Sequence, residues 1–263
     1  PGNNEGDVYT DTCEDDLNSA CESMENMKGD PRYLLSQISD NNVFFETKAD
    51  YAKNMVTGLI KLNGMTVGAV ANCSEVYDAD GNKTETFDLS LTARGCNKAA
   101  DFVQFCDAFS IPVLTITNVN GFKNCMCSEK NLAKALARMT YAFANATCAK
   151  VNLITGEAYG SAYVFMNSKS IGADLVYAWS DAKIGTMEPT LAAKILYPDA
   201  KAEEIKEKAA DFEKLQDSAA SAAARGYVDR LIDPADTRKY LVAAFEMLYT
   251  KYVHETEKKH GTK

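Results

Sequence analysis

An α/β fold is predicted by three observations. Apolar runs of strand length alternate along the chain with segments whose apolar residues recur at helical spacing. Asn63-Gly64 separates two such runs, Met55 to Leu62 and Met65 to Ala71, and that dipeptide between strands signals a hairpin. A strand-strand-helix pattern recurs at least twice, without the sequence repetition of a solenoid.

The elements follow in order. Residues 1–30 hold nine acidic side chains against one basic, Lys28, so −8 of the chain's net charge of −9 lies there. An exposed acidic linker or tail is expected over 1–30, joined to a folded body over 31–263. That body is close to neutral and offers no basic face to nucleic acid. Asp30 caps a helix over 31–38, and Asn42 to Thr47 reads as a strand before the hairpin. Asp78 to Lys83 resembles a calcium loop only superficially; it lacks the full ligand sequence and flanking helices, so it reads as a turn.

Ala99, Phe102, Val103, Cys106 and Phe109 line one face of a helix over 97–109. Pro112 limits it and introduces a strand, Val113 to Thr117. The loop Asn118 to Phe122 then lies at a strand's carboxyl end, where α/β proteins place ligand sites. Leu132, Leu136, Met139 and Phe143 line the next helix.

Val151 to Ile154 reads as a buried strand, Gly156 to Tyr159 as a turn, and Gly160-Ser161-Ala162 as the opening of a helix. Such a junction leaves the first helical N–H groups without intrahelical partners, at the positive end of the helix dipole. Those amides can hold negative charge developing on oxygen, and the small side chains let a ligand atom approach. On spacing alone, a tight connection in a packed core accounts for the same residues.

Downstream, Asp174 to Trp179 is a strand in which the lone tryptophan packs the core. A short strand over 182–185 and a short helix over 189–196 follow. One long, charged helix is expected from Asp199 to Ala224, ending at Gly226. Asp236 caps a last helix whose buried stripe is Leu241, Phe245, Leu248 and Tyr252.

A chain of 263 residues buries the core of one large domain or two small ones. No apolar run approaches the ~20 residues that span a bilayer, and the chain begins at Pro1 without a basic and apolar leader. A cytoplasmic fragment of a longer protein is the expectation. Eight cysteines are scattered, with Cys125-Met126-Cys127 the only close pair, and the two histidines, His254 and His260, lie in a polar tail. That pattern supports reduced thiols and no metal site. It also excludes Ser-His-Asp and Cys-His nucleophilic arrangements, which need a positioned imidazole. Bases must then be carboxylates, lysines, tyrosines or groups of the substrate, whereas backbone amides need no imidazole.

Six blocks, in order, carry a resemblance: PGNNEGD, DPRYLLSQISDNNVFFE, GLIKLNGMTVGAVAN, NKAADFVQFCDAFSIPVLTITNVNGF, GEAYGSAYVFMNSKSIGADLVYAW and AAARGYVDRLIDPADTRKYL. Together they resemble the C-terminal half of the carboxyltransferase subunit of biotin-dependent acyl-CoA carboxylases and decarboxylases, in the crotonase-like superfamily. The resemblance implies a crotonase-like (ClpP/crotonase) superhelix of strand-strand-helix units. It implies transfer of a carboxyl group between biotin on a carrier protein and an acyl-CoA, at a dimer interface. The partners it implies are an N-terminal carboxyltransferase half that holds the acyl-CoA, a biotin carboxyl carrier protein, further copies in a homo-oligomer and, for a decarboxylase, a membrane-bound subunit. The amides of Ser161 and Ala162 would hold the ureido oxygen. Gly160 and Tyr163 would flank them, Val164 would line the acyl pocket, and Gly121 and Phe122 would form the opposite wall.

The sequence departs from the family's usual pattern at several positions. Ser161 stands where a second glycine is usual, Asn118 and Asn120 where aspartate and proline are usual, Cys125 near a usual glycine, and Ser180 at a usual proline. Two other classes compete with transfer. One is a biotin-independent hydratase or hydrolase with Glu157 or Glu188 as base; the other is an assembly module whose chemistry has decayed.

Overall fold

The computed structural model describes residues 16–24, 28–78 and 80–253. In chain order these form α1 (Pro31–Ile38), β1 (Phe44–Thr47), β2 (Met55–Leu62), β3 (Met65–Asn72), β4 (Glu75–Tyr77), β5 (Lys83–Thr86), β6 (Ser90–Leu91) and α2 (Ala93–Ala108). There follow β7 (Val113–Val119), β8 (Gly121–Phe122), α3 (Met126–Asn145), β9 (Lys150–Tyr159), α4 (Gly160–Phe165), β10 (Leu175–Trp179) and β11 (Lys183–Gly185). The chain ends with α5 (Pro189–Leu196), α6 (Ala202–Phe212), α7 (Ala219–Ala224), β12 (Arg230–Ile232) and α8 (Thr237–Met247).

The main sheet has the order β1-β2-β3-β7-β9-β10-β12, with β11 pairing the far end of β9. The pairs from β1 to β3 are antiparallel, and those from β3 to β12 are parallel. Parallel strands are covered on both faces and so read as continuous apolar runs. Accordingly, every residue of β7 is buried. Leu114 and Ile116 face the core that α1 and α8 close with Leu34, Leu35, Ile38, Leu241 and Phe245. Val113 and Val119 join the opposite core, closed by Val103 and Cys106 of α2 and by Met139 and Phe143 of α3.

Local chemistry forms the elements as expected in most places. Asp30 accepts from the Arg32 amide at 3.1 Å and caps α1. Asn63 and Gly64 both have positive φ, 49° and 74°, as a two-residue hairpin turn requires. The buried Asp40 carboxylate accepts from both turn amides, at 3.1 and 2.7 Å, and pairs with the buried Arg238 guanidinium at 2.8 Å. Trp179 is fully buried and donates its indole N–H to Thr237 Oγ1 at 3.0 Å.

Four expectations are corrected. The segment 156–159 continues β9 as strand rather than turning, because β11 adds a parallel partner at Glu157 to Tyr159. The single long helix is two, α6 and α7, separated by a π-turn over Glu213–Asp217. Ser218 breaks it by taking an extended conformation (φ −67°, ψ 145°), bridging to Lys183 of β11 and capping α7 through the Ser221 amide at 3.2 Å. Tyr252 falls beyond α8 and is 85% exposed, so the buried stripe stops near Leu248. Within the acidic stretch, Cys21 and Met24 are buried in the α1/α8 core, and the Cys21 amide bonds the Ala235 carbonyl at 2.9 Å. This part therefore packs on the body instead of standing clear of it.

The hairpin β4–β5, the β6–β8 pair and β12 were not anticipated; all are short, and β5 is polar and exposed, with no apolar alternation to read. Among the described residues, no helix is long and apolar enough to cross a membrane.

Candidate functional site

The site is built where β7 and β9 end. Their pairing runs regularly to Thr117 and Ile154, then shifts so that Val119 faces Ala158. Asn118 fills the resulting bulge. Its Oδ1 accepts from the Glu157 amide at 2.9 Å, its Nδ2 donates to the Lys28 carbonyl at 3.1 Å, and its own amide donates to Asn72 Oδ1 at 3.1 Å. A Cβ at Gly156 would lie 2.5 Å from Asn118 Oδ1, so only glycine leaves room for this contact. One layer below, Thr117 Oγ1 donates to Asn152 Oδ1 at 2.8 Å. Buried amide and hydroxyl groups thus tie the parallel strands together just under the bend.

Past Tyr159 the chain turns at Gly160, which has φ +58°. A Cβ there would be 3.0 Å from the Thr186 carbonyl oxygen, so the left-handed conformation and the close approach both call for glycine. The helix α4 begins at this residue without a side-chain cap. Its first amides, those of Ser161 and Ala162 among them, therefore have no intrahelical acceptor. Ser161 is exposed, whereas Ala162 is 1% exposed and anchors its methyl among α2, α3 and β7.

The other expected site residues divide into two groups. Gly121 and Phe122 form β8, held by parallel pairing to Ser90 and Leu91 of β6. The Phe122 ring lies 6.2 Å from that of Phe165 on α4, and a Cβ at Gly121 would meet nothing within 4 Å. These two residues do stand beside α4 with open space above the glycine. Tyr163 is instead buried in the cluster of Ile154, Val176 and Ala219, and the half-buried Val164 packs against that cluster, so that both hold α4 down. Burial pushes the Tyr163 phenol up to about 12, so it stays protonated near neutral pH.

Sequence reading missed Asn72, Phe165 and Asp217. Asn72 ends a strand and Phe165 sits on a short helix, so nothing local marks either. Asp217 falls within the stretch expected as one long, charged helix, yet it is fully buried beside β11, and burial followed by the charge of Glu213 raises its carboxyl to about 6. Glu188, a candidate base, is committed as the cap of α5, accepting from the amides of Thr190 and Leu191 at 3.0 and 2.9 Å. Burial pushes its carboxyl up, but those bonds outweigh it and hold the group below its ordinary range. Among the described residues, no three His, Cys, Asp or Glu side chains gather to hold a metal ion, and seven cysteines are unbridged. His254, His260 and Cys13 lie outside the described residues.

Comparison with known proteins gives a family. The carboxyl transferase domain model matches residues 6–262. The putative propionyl-CoA carboxylase beta chain of Bacillus subtilis is 42% identical over 239 residues, covering 88% of this chain and 45% of the relative. The methylmalonyl-CoA decarboxylase subunit alpha of Propionigenium modestum is 36% identical over 275 residues, covering 99% of this chain and 51% of the relative. The crystal structure of transcarboxylase 12S, described as a hexamer assembly with methylmalonyl-coenzyme A and methylmalonic acid bound, superposes with a TM-score of 0.85 at 33% identity, covering 97% of this chain and 49% of that one. The chain spans about half the length of the curated relatives it matches. The architecture is the expected crotonase-like one, and the chain belongs to the carboxyl transferase domain family.

Proposed function

We propose that this chain is the biotin-side half of a carboxyltransferase that moves a carboxyl group between biotin and an acyl-CoA. The observation that carries the reading is the uncapped start of α4 at a glycine-only bend, with Gly121 and Phe122 alongside. When bound, biotin supplies a ureido nitrogen that carries the carboxyl group and a ureido oxygen on which negative charge builds. The donor set fits that oxygen: the amides of Ser161 and Ala162 are preorganised by Gly160 and by the buried methyl of Ala162. One such donor is typically worth roughly 2.7–4 kcal/mol. The exposed Ser161 side chain leaves the Ser161 amide in place, and Phe122 with Phe165 gives an apolar wall.

Relatives named as a carboxylase and as a decarboxylase both match, so we assign the chemistry of the site and leave its direction to the partner subunits. Those partners are an N-terminal half bearing the acyl-CoA, a biotin carrier protein and further copies of the chain, together with a membrane-bound subunit if the assembly decarboxylates. Calorimetry with a relative's biotinylated carrier protein tests the assignment. Saturable binding of the carrier, with none of acyl-CoA alone, is expected; binding of acyl-CoA without the carrier would reject it in favour of a hydratase-type site.

A further inference from the structure

Asp217 has no exposed surface, and neither of its carboxyl oxygens has a hydrogen-bond partner among the described residues. It ends the π-turn between α6 and α7 and lies so close to Gly185 of β11 that no side chain could stand there. The next residue, Ser218, bridges to Lys183 of the same strand. Gly185 pairs in turn with Tyr159 of β9, and the Thr186 carbonyl abuts Gly160. The carboxyl is thus two contacts from the start of α4, through backbone alone.

An ionised carboxylate in this position has no donor to satisfy it. The charged and titratable groups around it are Glu213 on its own turn, Arg225 after α7, Glu188 before α5, Lys183 of β11 and Tyr159 of β9. The two cations are engaged elsewhere: Lys183 pairs with Glu213 at 3.0 Å, and Arg225 Nη2 donates to the Gln216 carbonyl at 2.7 Å and to Ser221 Oγ. Burial and the two glutamates all favour the neutral acid.

We infer that Asp217 is a positioning residue for the α4 amides: uncharged, its side chain packs on Gly185 of β11, a clasp made by packing that seats the 213–218 turn and so fixes the bend at Gly160, and ionisation loosens the clasp. The role of the amides rests on the proposed function, whereas the clasp itself does not. The folded chain holds this proton up to about pH 6, while the unfolded chain loses it near the ordinary aspartate value of 3.8. The folded state therefore binds more protons between those values, and stability falls as pH rises through that window.

Asp217→Asn keeps the shape and removes the titration; Asp217→Ala serves if the amide variant does not fold. Thermal melting and hydrogen exchange over β11 and residues 157–162 are followed from about pH 4 to about pH 8. The wild-type chain is expected to lose melting temperature and protection across the window, whereas both variants lack that step and Asp217→Asn keeps its protection at the alkaline end. Parallel profiles for wild type and variants would overturn the clasp. In the assembled enzyme, kcat of Asp217→Asn relative to wild type should rise with pH; a constant ratio would overturn the positioning role. Absence of turnover in both proteins at every pH would count against the proposed function, and melting and exchange would still decide the clasp.

Discussion

Asn118 Oδ1 receives the Glu157 amide at 2.9 Å, so the side chain ending one strand closes the bulge in its neighbour immediately before the candidate site. The Nδ2 of the same Asn118 side chain donates to the Lys28 carbonyl, tying the stretch before α1 to the carboxyl ends of the strands.

Asn118→Ala removes both contacts and leaves the Glu157 N–H and Lys28 C=O to find other partners. A buried polar group deprived of its bond costs about 1–3 kcal/mol. Urea denaturation should show a loss of that size, together with faster hydrogen exchange at Glu157.

Gly160→Ala forces a methyl group into a left-handed position 3.0 Å from the Thr186 carbonyl. The conformation alone costs roughly 1–2 kcal/mol. Relief of the clash must shift α4, so carboxyl transfer should fall further than stability does. Equal losses in the two assays would show that the bend is structural only.

The Arg238–Asp40 pair is buried on both sides, 3% exposed each, and Arg238 Nη1 also donates to the Ile38 carbonyl at 2.9 Å. Arg238→Ala strands the Asp40 charge under the Asn63-Gly64 turn. Breaking such a pair costs about 3–5 kcal/mol, which denaturant melts would register.

Thiol reactivity should follow environment. Cys125 is exposed, and the Ser128 hydroxyl at 3.2 Å, aided by nearby amides, holds its thiol below the ordinary range. Burial raises Cys73 to about 11 and Cys96, Cys106 and Cys148 to about 12. Mass spectrometry after brief alkylation near neutral pH should find label at Cys125 well before those four.

Much of this was legible in the residues. Asp30, the Asn63-Gly64 turn and the apolar runs of β2, β3 and β7 state their structure locally, through capping, turn chemistry and two-sided burial. The bend at Gly160 was readable as a junction of small residues. Its strand, however, runs five residues past Ile154, to Tyr159, because β11, distant in sequence, pairs there. The break at Ser218 was hidden for the same reason: local propensity favours helix, and contact with β11 overrides it. Tyr163 and Val164 take their site reading from resemblance alone, and both pack against the cluster that holds Ile154 and Val176.

The most direct measurement mixes this polypeptide with a matched N-terminal carboxyltransferase half and follows decarboxylation of a malonyl-type CoA in the presence of free biotin. Turnover is expected from the assembled pair, dependent on biotin and absent from either half alone. A well-assembled pair without turnover, or turnover by this chain alone without biotin, would contradict the account.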